Sequence, residues 1–508
     1  MRILLWHGWL LEGTGSNIYT AKVSEVWRRR GHEVLIVCQQ GHPERFAFID
    51  AWGTASAEGV SQVQRTGVIG TAGSAILLRP EIGSLLPVFV YDEYEGFRVK
   101  RFVDLTDEEL ESYLDRNTAA FLAIGSWRQP EAVIAGHAMA GPVVARRAGG
   151  DGRYVAKIHG SDIEYAARLQ DRYANLARWG LEGARAVAGG SRDVLARAAA
   201  VAPSVKDRMR VVHPGVDVQR WVPRPRGEAI RDAAARLASD PATSRGRPAR
   251  TDGRVRDLLK ARDPKGLSSL AASYDQTAPD PDAARRLGAL LDREGPLIGY
   301  LGKLVPQKGV ERFLQALALL AEEVHGVVVG FGTFREWLAA LVSALDGGDH
   351  GAVAWLGEAS DMIVELSAEE VRGAAGLADR VTFTGKLDHR YAPEVVAGLD
   401  VLVVPSTGKE AFGMVAAEAA AAGALPLVAR HSSLAEVAEA LEGSAGASGL
   451  LSFQAGPGAT HRVARGLERL LSMPPEERTA LRQAVRGHVV SEWTWDRTAD
   501  RLLAAAEI

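Results

Sequence analysis

Short apolar runs alternate along most of the chain with longer stretches in which apolar residues recur every three or four positions. "RILLWH" (2–7) reads as a strand, "NIYTAKVSEVWRRRGH" (17–32) as a helix stopped at Gly31, and "EVLIVCQ" (33–39) as the next strand. Strand, amphipathic helix and strand make a βαβ unit, which implies a parallel sheet with helical cover. Further strands are predicted at "FLAIG" (121–125), "AVIAGH" (132–137), "YVAKIH" (154–159), "AVAGGS" (186–191) and "RVVHPG" (210–215).

The rhythm stops between residues 223 and 295, where "PRPRG", "DPATSRGRPARTDGR" and "YDQTAPDPD" bring Pro, Arg and Asp together without a convincing strand. This stretch reads as a linker carrying a partly helical, partly mobile insertion. Strand and helix resume at "PLIGYLG" (296–302) and continue through "GVVVGFG", "RVTFTG", "LDVLVVPS" and "ALPLVAR" (424–430). The pattern therefore predicts an α/β protein: a first domain over 1–222, the charged insertion over 223–295, a second domain over 296–489, and a helix over 490–508. Trp493 and Trp495 in that helix read as core anchors.

Composition narrows the class. A chain of 508 residues is too long for one ordinary core and suits two large domains or three small ones. A formal net charge of −3, with Lys and Arg spread throughout, gives no basic stripe for nucleic acid. Cys38 is the single cysteine, so no internal disulfide forms, and its place at the end of "VLIVC" predicts a buried strand residue in a reducing compartment. The start "MRILLWHGW" opens like a signal peptide, but the apolar run is broken by His7 and Gly8 and no cleavage pattern follows. No window reaches the roughly 18 apolar residues of a membrane span. These features predict a cytoplasmic protein with no integral membrane segment.

In parallel α/β sheets ligands sit beyond the carboxyl ends of the strands, and four such places carry candidate chemistry. In "STGKEAFGMVAAEAAAAG" a loop leads into a helix, with Glu410 before it, Gly413 at its start and Glu418 inside it. The unpaired N–H groups of a helix start attract phosphate, whereas carboxylates accept hydrogen bonds from hydroxyls. A ligand with phosphate in the middle and hydroxyls at both ends fits, as a nucleotide sugar does. Taken alone, the two glutamates are accounted for more readily by dipole complementation and a solvated acid. "GYLGKLVPQKGVERF" adds Lys303 and Lys308, two ammonium groups suited to a diphosphate. The first turn, "HGWLLEGTGSNIY", places Gly13 and Gly15 before the first helix; a tight turn explains this G-x-G as well as a phosphate contact does. In "YVAKIHGSD", His159 and Asp162 follow a strand, and His137 is a second strand-end histidine of the same type.

Together these stretches resemble the retaining glycosyltransferases of family four. The resemblance is carried by "GTGSNIY", "IHGSD", "VVHPGVDVQRW", "GKLVPQKG", "FTGKL" and the two glutamates, Glu410 and Glu418, spaced eight apart. It implies the GT-B fold, two Rossmann-like domains facing across a cleft, with a C-terminal helix that crosses back to the first. It implies a sugar moved from a nucleoside diphosphate sugar with retention. Lys303 and Lys308 would bind the diphosphate, and Glu410 the donor-sugar hydroxyls beside the Phe412-Gly413-Met414 backbone. Glu418 would hold the ribose, His159 the donor sugar, Gly15 the phosphate or acceptor, and Gly385-Lys386-Leu387 would border the base. The family usually has Arg where this chain has Lys303, which keeps the charge and loses the planar two-point grip. Uridine is the default base, with guanosine and adenosine behind it. No resident cofactor or metal is implied; the one Asp-x-Asp, Asp280 to Asp282, falls in the insertion and reads as a turn. An epimerase or phosphorylase on the same fold, or a non-catalytic nucleotide-sugar binder, are the alternatives. Residues 41–130, with "YDEYEGFRVKRFVDLTDEEL", are where an acceptor would be read; the acceptor and the oligomeric state are left open.

Overall fold

A computed structural model describes residues 1–65, 73–90 and 94–507. The first three residues of the charged, aromatic stretch beginning at Tyr91 lie outside these. The chain divides into two compact units: Met1–Gly215 with Trp493–Ile508, and Val216–Glu492.

The first unit is built on a nine-stranded sheet in the order β11-β10-β9-β8-β1-β2-β5-β3-β4. Its strands are β1 (Arg2–Trp6), β2 (Glu33–Val37), β3 (Ala51–Ser56), β4 (Gly59–Arg65), β5 (Ser74–Pro80), β8 (Ala132–Gly136), β9 (Val155–Ile158), β10 (Ala186–Gly189) and β11 (Met209–Val211); β6 (Leu85–Val88) and β7 (Arg98–Arg101) form a separate pair. Every pairing is parallel except β3 with β4. Strands covered on both faces need continuous apolar runs, which is why β1, β2, β8, β9 and β10 stand out in the sequence. Strands β3 to β7 were not anticipated.

"FLAIG" is not a strand. It lies within helix Asp107–Arg128, which Thr106 and Glu109 open with a reciprocal capping box. The helix buries Leu110, Tyr113, Leu114, Asn117, Phe121 and Ile124, a helical spacing that the short apolar run concealed. The last helix, Trp495–Glu507, packs on the first, Gly15–Arg29. Trp27 Nε1 donates to the Ala499 carbonyl at 3.2 Å, and Arg29 and Arg30 reach Asp496 at 2.8 and 2.9 Å. Trp493 and Trp495 are buried, as core anchors should be. Cys38 is buried too, and burial pushes its thiol up to about 12, which leaves it inert.

The second unit is an all-parallel sheet in the order β14-β13-β12-β15-β16-β17. Its strands are β12 (Leu297–Lys303), β13 (His325–Phe331), β14 (Val381–Gly385), β15 (Val401–Val404), β16 (Leu425–Arg430) and β17 (Ser452–Gln454). The insertion belongs to this unit and is mostly helical, with helices Arg226–Ala238, Thr251–Ala261, Pro264–Leu270 and Ala283–Ala289. A buried ionic network anchors it. Arg247, 1% exposed, grips Glu336 with two bonds of 2.8 and 2.9 Å and Asp252 at 2.7 Å, while the Tyr274 hydroxyl donates to Glu336 at 2.5 Å. A guanidinium tolerates burial when its donors are matched in this way. Asp280 is likewise buried, beside Arg286 at 3.4 Å and Arg335 at 3.6 Å, and Asp282 pairs with Arg286 at 2.8 Å. The Asp-x-Asp lies at a turn, 281–282, as its sequence predicts, and its carboxylates also anchor the insertion.

Candidate active site

In the second unit the carboxyl ends of four adjacent strands, β14, β13, β12 and β15, bring the predicted residues onto one edge. Lys303 ends β12 and is exposed; its ammonium lies 5.9 Å from the ring centroid of Phe331, which ends β13. Lys386, just past β14, lies 5.0 Å from the same ring. An aromatic face attracts cations, so Phe331 gathers two positive charges from neighbouring strands.

After Lys303 the chain makes a tight turn, Pro306–Lys308, closed by Gly309 at φ +63°. A Cβ at Gly309 would stand 2.3 Å from the Pro405 carbonyl, so only glycine permits this approach. The Gln307 carbonyl accepts from Thr407 and Gly408 N–H, both at 2.9 Å. The loop after β12 is thus strapped to the loop after β15, and Lys308 Nζ meets Glu410 Oε1 at 2.5 Å. The Ser406 hydroxyl donates to the same oxygen at 2.7 Å, while Glu410 N–H donates to Ser432 Oγ at 3.2 Å and Ser433 Oγ to the Glu410 carbonyl at 2.7 Å. Burial raises the Glu410 carboxyl, but the charge and hydrogen bond of Lys308, with the Ser406 bond, outweigh it and hold the group below the usual carboxylate range. Glu410 is a fixed anion.

Gly413, at φ +98° over Leu434, turns the chain into helix Met414–Ala422. Small residues let this helix sit in the core, with Glu418 one turn in and 7% exposed. Glu418 Oε1 lies 3.5 Å from His389 Nε2, and His389 meets Trp221 edge-on at 5.8 Å. The side chains of Phe412 and Leu387 are buried. Gly385 abuts the insertion, where a Cβ would stand 2.6 Å from Asp280 N. Lys386 is thus the accessible member of the 385–387 stretch.

The two other candidates, Gly15 and His159, lie in the first unit, also at carboxyl ends. Gly15 is exposed in the first turn of its helix. His159 follows β9 and stands 4.9 Å from His137, 6.5 Å from His7 and 5.3 Å from Tyr19, ring to ring. His7 Nε2 is 2.8 Å from Asn17 Oδ1, and Asp162 accepts from Ala138 N–H. Lys157 is buried beneath, 4.5 Å from the Tyr19 ring. Burial lowers all three imidazoles, His7 to about 4, and burial lowers Lys157 to about 7. Lys157 pushes His137 and His159 down further. At neutral pH the three rings are uncharged, so the cluster offers neutral hydrogen-bonding groups and no imidazolium charge to an anion.

Sequence reasoning missed Phe331, Ser406 and His389 in the second unit and His7, Asn17 and Lys157 in the first. Phe331 follows directly from "VVVGFG", because it occupies the strand-end position that flagged Lys303. His389 gave no such signal; only the fold brings it to Glu418. Among the described residues no group of three His, Cys, Asp or Glu is placed to hold a metal ion.

Two family models match. Residues 14–215 fit the glycosyl transferase 4-like domain and residues 288–488 the glycosyl transferases group 1. Among curated relatives, the 2-deoxystreptamine glucosyltransferase of Streptomyces kanamyceticus is 30% identical over 218 residues, 42% of this chain and 46% of the relative. The D-inositol 3-phosphate glycosyltransferase of Jonesia denitrificans is 28% identical over 267 residues, 51% of this chain and 56% of the relative. The matches span about half the length of these relatives. Among solved structures, Anabaena Alr3699/HepE in complex with UDP is 14% identical with a TM-score of 0.58 and covers 99% of each chain. Sucrose-phosphate synthase of Thermosynechococcus elongatus is 17% identical with a TM-score of 0.56, over 99% of this chain and 97% of the other. These likenesses establish the GT-B fold. The chain belongs to the family-four type of glycosyltransferase.

Proposed function

We propose that the protein moves a hexose from a nucleoside diphosphate sugar, UDP-linked in the first instance, to a hydroxyl of a polyhydroxylated ring, with retention at the anomeric carbon. The carrying observation is the edge of the second unit, where Lys386, Lys303 and the Lys308–Glu410 pair follow one another along four neighbouring strand ends. Ammonium groups suited to a diphosphate, Lys303 and Lys308, stand there next to a fixed carboxylate suited to hydroxyls, Glu410, as a nucleotide sugar requires.

In this reading Lys303 and Lys308 hold the diphosphate, Glu418 the ribose and Glu410 the donor-sugar hydroxyls. The acceptor oxygen bonds to the anomeric carbon on the face that the diphosphate leaves. The breaking C–O bond delivers its electron pair to the diphosphate oxygen, which takes the acceptor's proton. Charge grows on the departing diphosphate, and ammonium groups already in place stabilise it without reorganising. No side chain acts as nucleophile. To the first unit we assign the acceptor, with His159 as a neutral partner for sugar hydroxyls and Gly15 at a phosphate or acceptor oxygen.

The acceptor class draws support from the relatives' names: 2-deoxystreptamine and inositol phosphate are both hydroxylated six-membered carbocycles. The Anabaena structure holds UDP on the same fold. No described helix is long and apolar enough to cross a membrane. The test incubates the protein with UDP-glucose, GDP-mannose or ADP-glucose and inositol or 2-deoxystreptamine, and reads product by mass and anomeric configuration by NMR. An α-linked product from an α-linked donor supports the reading. Isomerised donor without transfer, or an inverted linkage, overturns it.

A further inference from the structure

The insertion at 226–292 is the one large feature to which the proposed reaction gives no work. It is fastened at two points to the loop that follows β14, residues 385–391. β14 is the edge strand of its sheet. At the first point Pro279 bridges Gly385, Asp280 N–H donates to the Thr384 carbonyl at 2.9 Å, and Arg286 donates to the Phe383 carbonyl at 3.0 Å. Arg335, beside Asp280, stacks 3.7 Å over the Phe383 ring. At the second point Asp240 accepts from the Tyr391 hydroxyl at 2.6 Å and pairs with Arg390 at 3.4 Å. Between the two ties the loop presents Lys386 toward Phe331 and His389 toward Glu418. A further insertion residue, Asp275, lies near enough to Lys386 to feel its charge: burial raises the carboxyl, but bonds from Thr277 and the charges of Arg245 and Lys386 bring it below its usual range.

We infer that the insertion sets the base selectivity of the donor site, by pinning both ends of loop 385–391 so that Lys386 and His389 stand at fixed positions at the nucleoside end. This rests on the donor reading above, which puts the ribose at Glu418. A loop free at either end would reshape around uracil, guanine or adenine alike. A pinned loop leaves its polar groups unpaired against the wrong base, and selectivity is the difference between those two free energies. The tying residues Asp240, Tyr391 and Arg390 are positioning residues and touch no reacting atom.

The test titrates UDP, GDP, ADP and inorganic pyrophosphate into the full chain by calorimetry, in the parent and in Tyr391→Phe, Asp240→Ala and Arg390→Ala. Tyr391→Phe removes one hydroxyl, and Arg390 is 61% exposed, so both variants fold. Expected is a parent that separates its best from its worst nucleotide at least about tenfold. The ratio falls about three- to tenfold in the variants, the range of one or two lost hydrogen bonds, while pyrophosphate affinity stays within about twofold. An unchanged ratio in all three variants, or a parent that does not discriminate, overturns the inference and leaves the donor reading standing. A parent that binds none of the three nucleotides overturns both.

Discussion

Removing the Lys308 ammonium is the most informative single change. In Lys308→Met the stem keeps its length and loses its charge, and Glu410 loses the partner 2.5 Å away. Two consequences separate. The side chains are 33% and 19% exposed, so the pair stands between a surface ion pair, worth about 0–1 kcal/mol, and a buried one, whose breaking costs about 3–5 kcal/mol. A loss of about 1–2 kcal/mol of stability follows, a few degrees in thermal midpoint for a unit of this size. Catalysis loses more. A preorganised group at a developing negative charge is worth about 10²–10³ in kcat, or about 2.7–4 kcal/mol. Steady-state transfer with saturating acceptor measures the second effect and chemical denaturation the first. The double variant Lys308→Met, Glu410→Gln leaves no unpaired charge, so its stability returns to within about 0.5 kcal/mol of the parent while transfer stays suppressed. Transfer by Lys308→Met within about threefold of the parental rate would refute the placing of this ammonium at the diphosphate.

Three further outcomes are expected. Gly309→Ala forces a Cβ to 2.3 Å from the Pro405 carbonyl at φ +63°, so it destabilises by at least about 2 kcal/mol and lowers transfer with it; an unshifted denaturation midpoint would contradict the strapped loop. The buried imidazoles make stability depend on pH. Their folded pKa values are lowered, so between the unfolded value near 6.5 and the folded one (about 4 for His7) the unfolded chain binds more protons. The imidazoles' contribution is complete well above pH 6.5 and falls as pH drops through that window, by about 2 kcal/mol from His7 alone at pH 5; equal urea midpoints at pH 7.5 and 5.0 would count against the buried cluster. Arg247→Leu leaves Glu336 buried without its main partner, which costs about 3–5 kcal/mol; proteolysis should then cut within 226–292, and resistance equal to the parent's would show the network to be dispensable.

What the sequence disclosed tracks how each part is held together. Strands buried on both faces must be apolar throughout, so β1, β2, β8, β9, β10 and β12 to β16 are readable as runs. "FLAIG" failed because five apolar residues cannot distinguish period 2 from period 3.6; the decisive residues, Leu110 to Asn117, lie outside that window. The insertion reads as partly mobile because Pro, Arg and Asp crowd it without a strand, and in such a stretch Arg247 and Asp280 look like solvated charges. Only their pairing with Glu336 and Arg335 on another helix, 89 positions on from Arg247 in the first case, makes them a core. The candidate residues of the second unit were legible because strand ends are the places where a parallel sheet offers groups to a ligand. His389 and the imidazole cluster owe their places to tertiary packing between segments far apart in sequence, whereas Phe331 ends a strand as Lys303 does.

The most direct measurement is the affinity of the full chain for UDP and its sugar conjugates, compared with Glu418→Ala and Lys303→Met. Dissociation constants between about 1 μM and 1 mM in the parent, weakened about tenfold or more by each substitution, are predicted. Failure of UDP, GDP and ADP alike to bind at millimolar concentration, or equal binding by parent and both variants, would contradict a donor site at these strand ends.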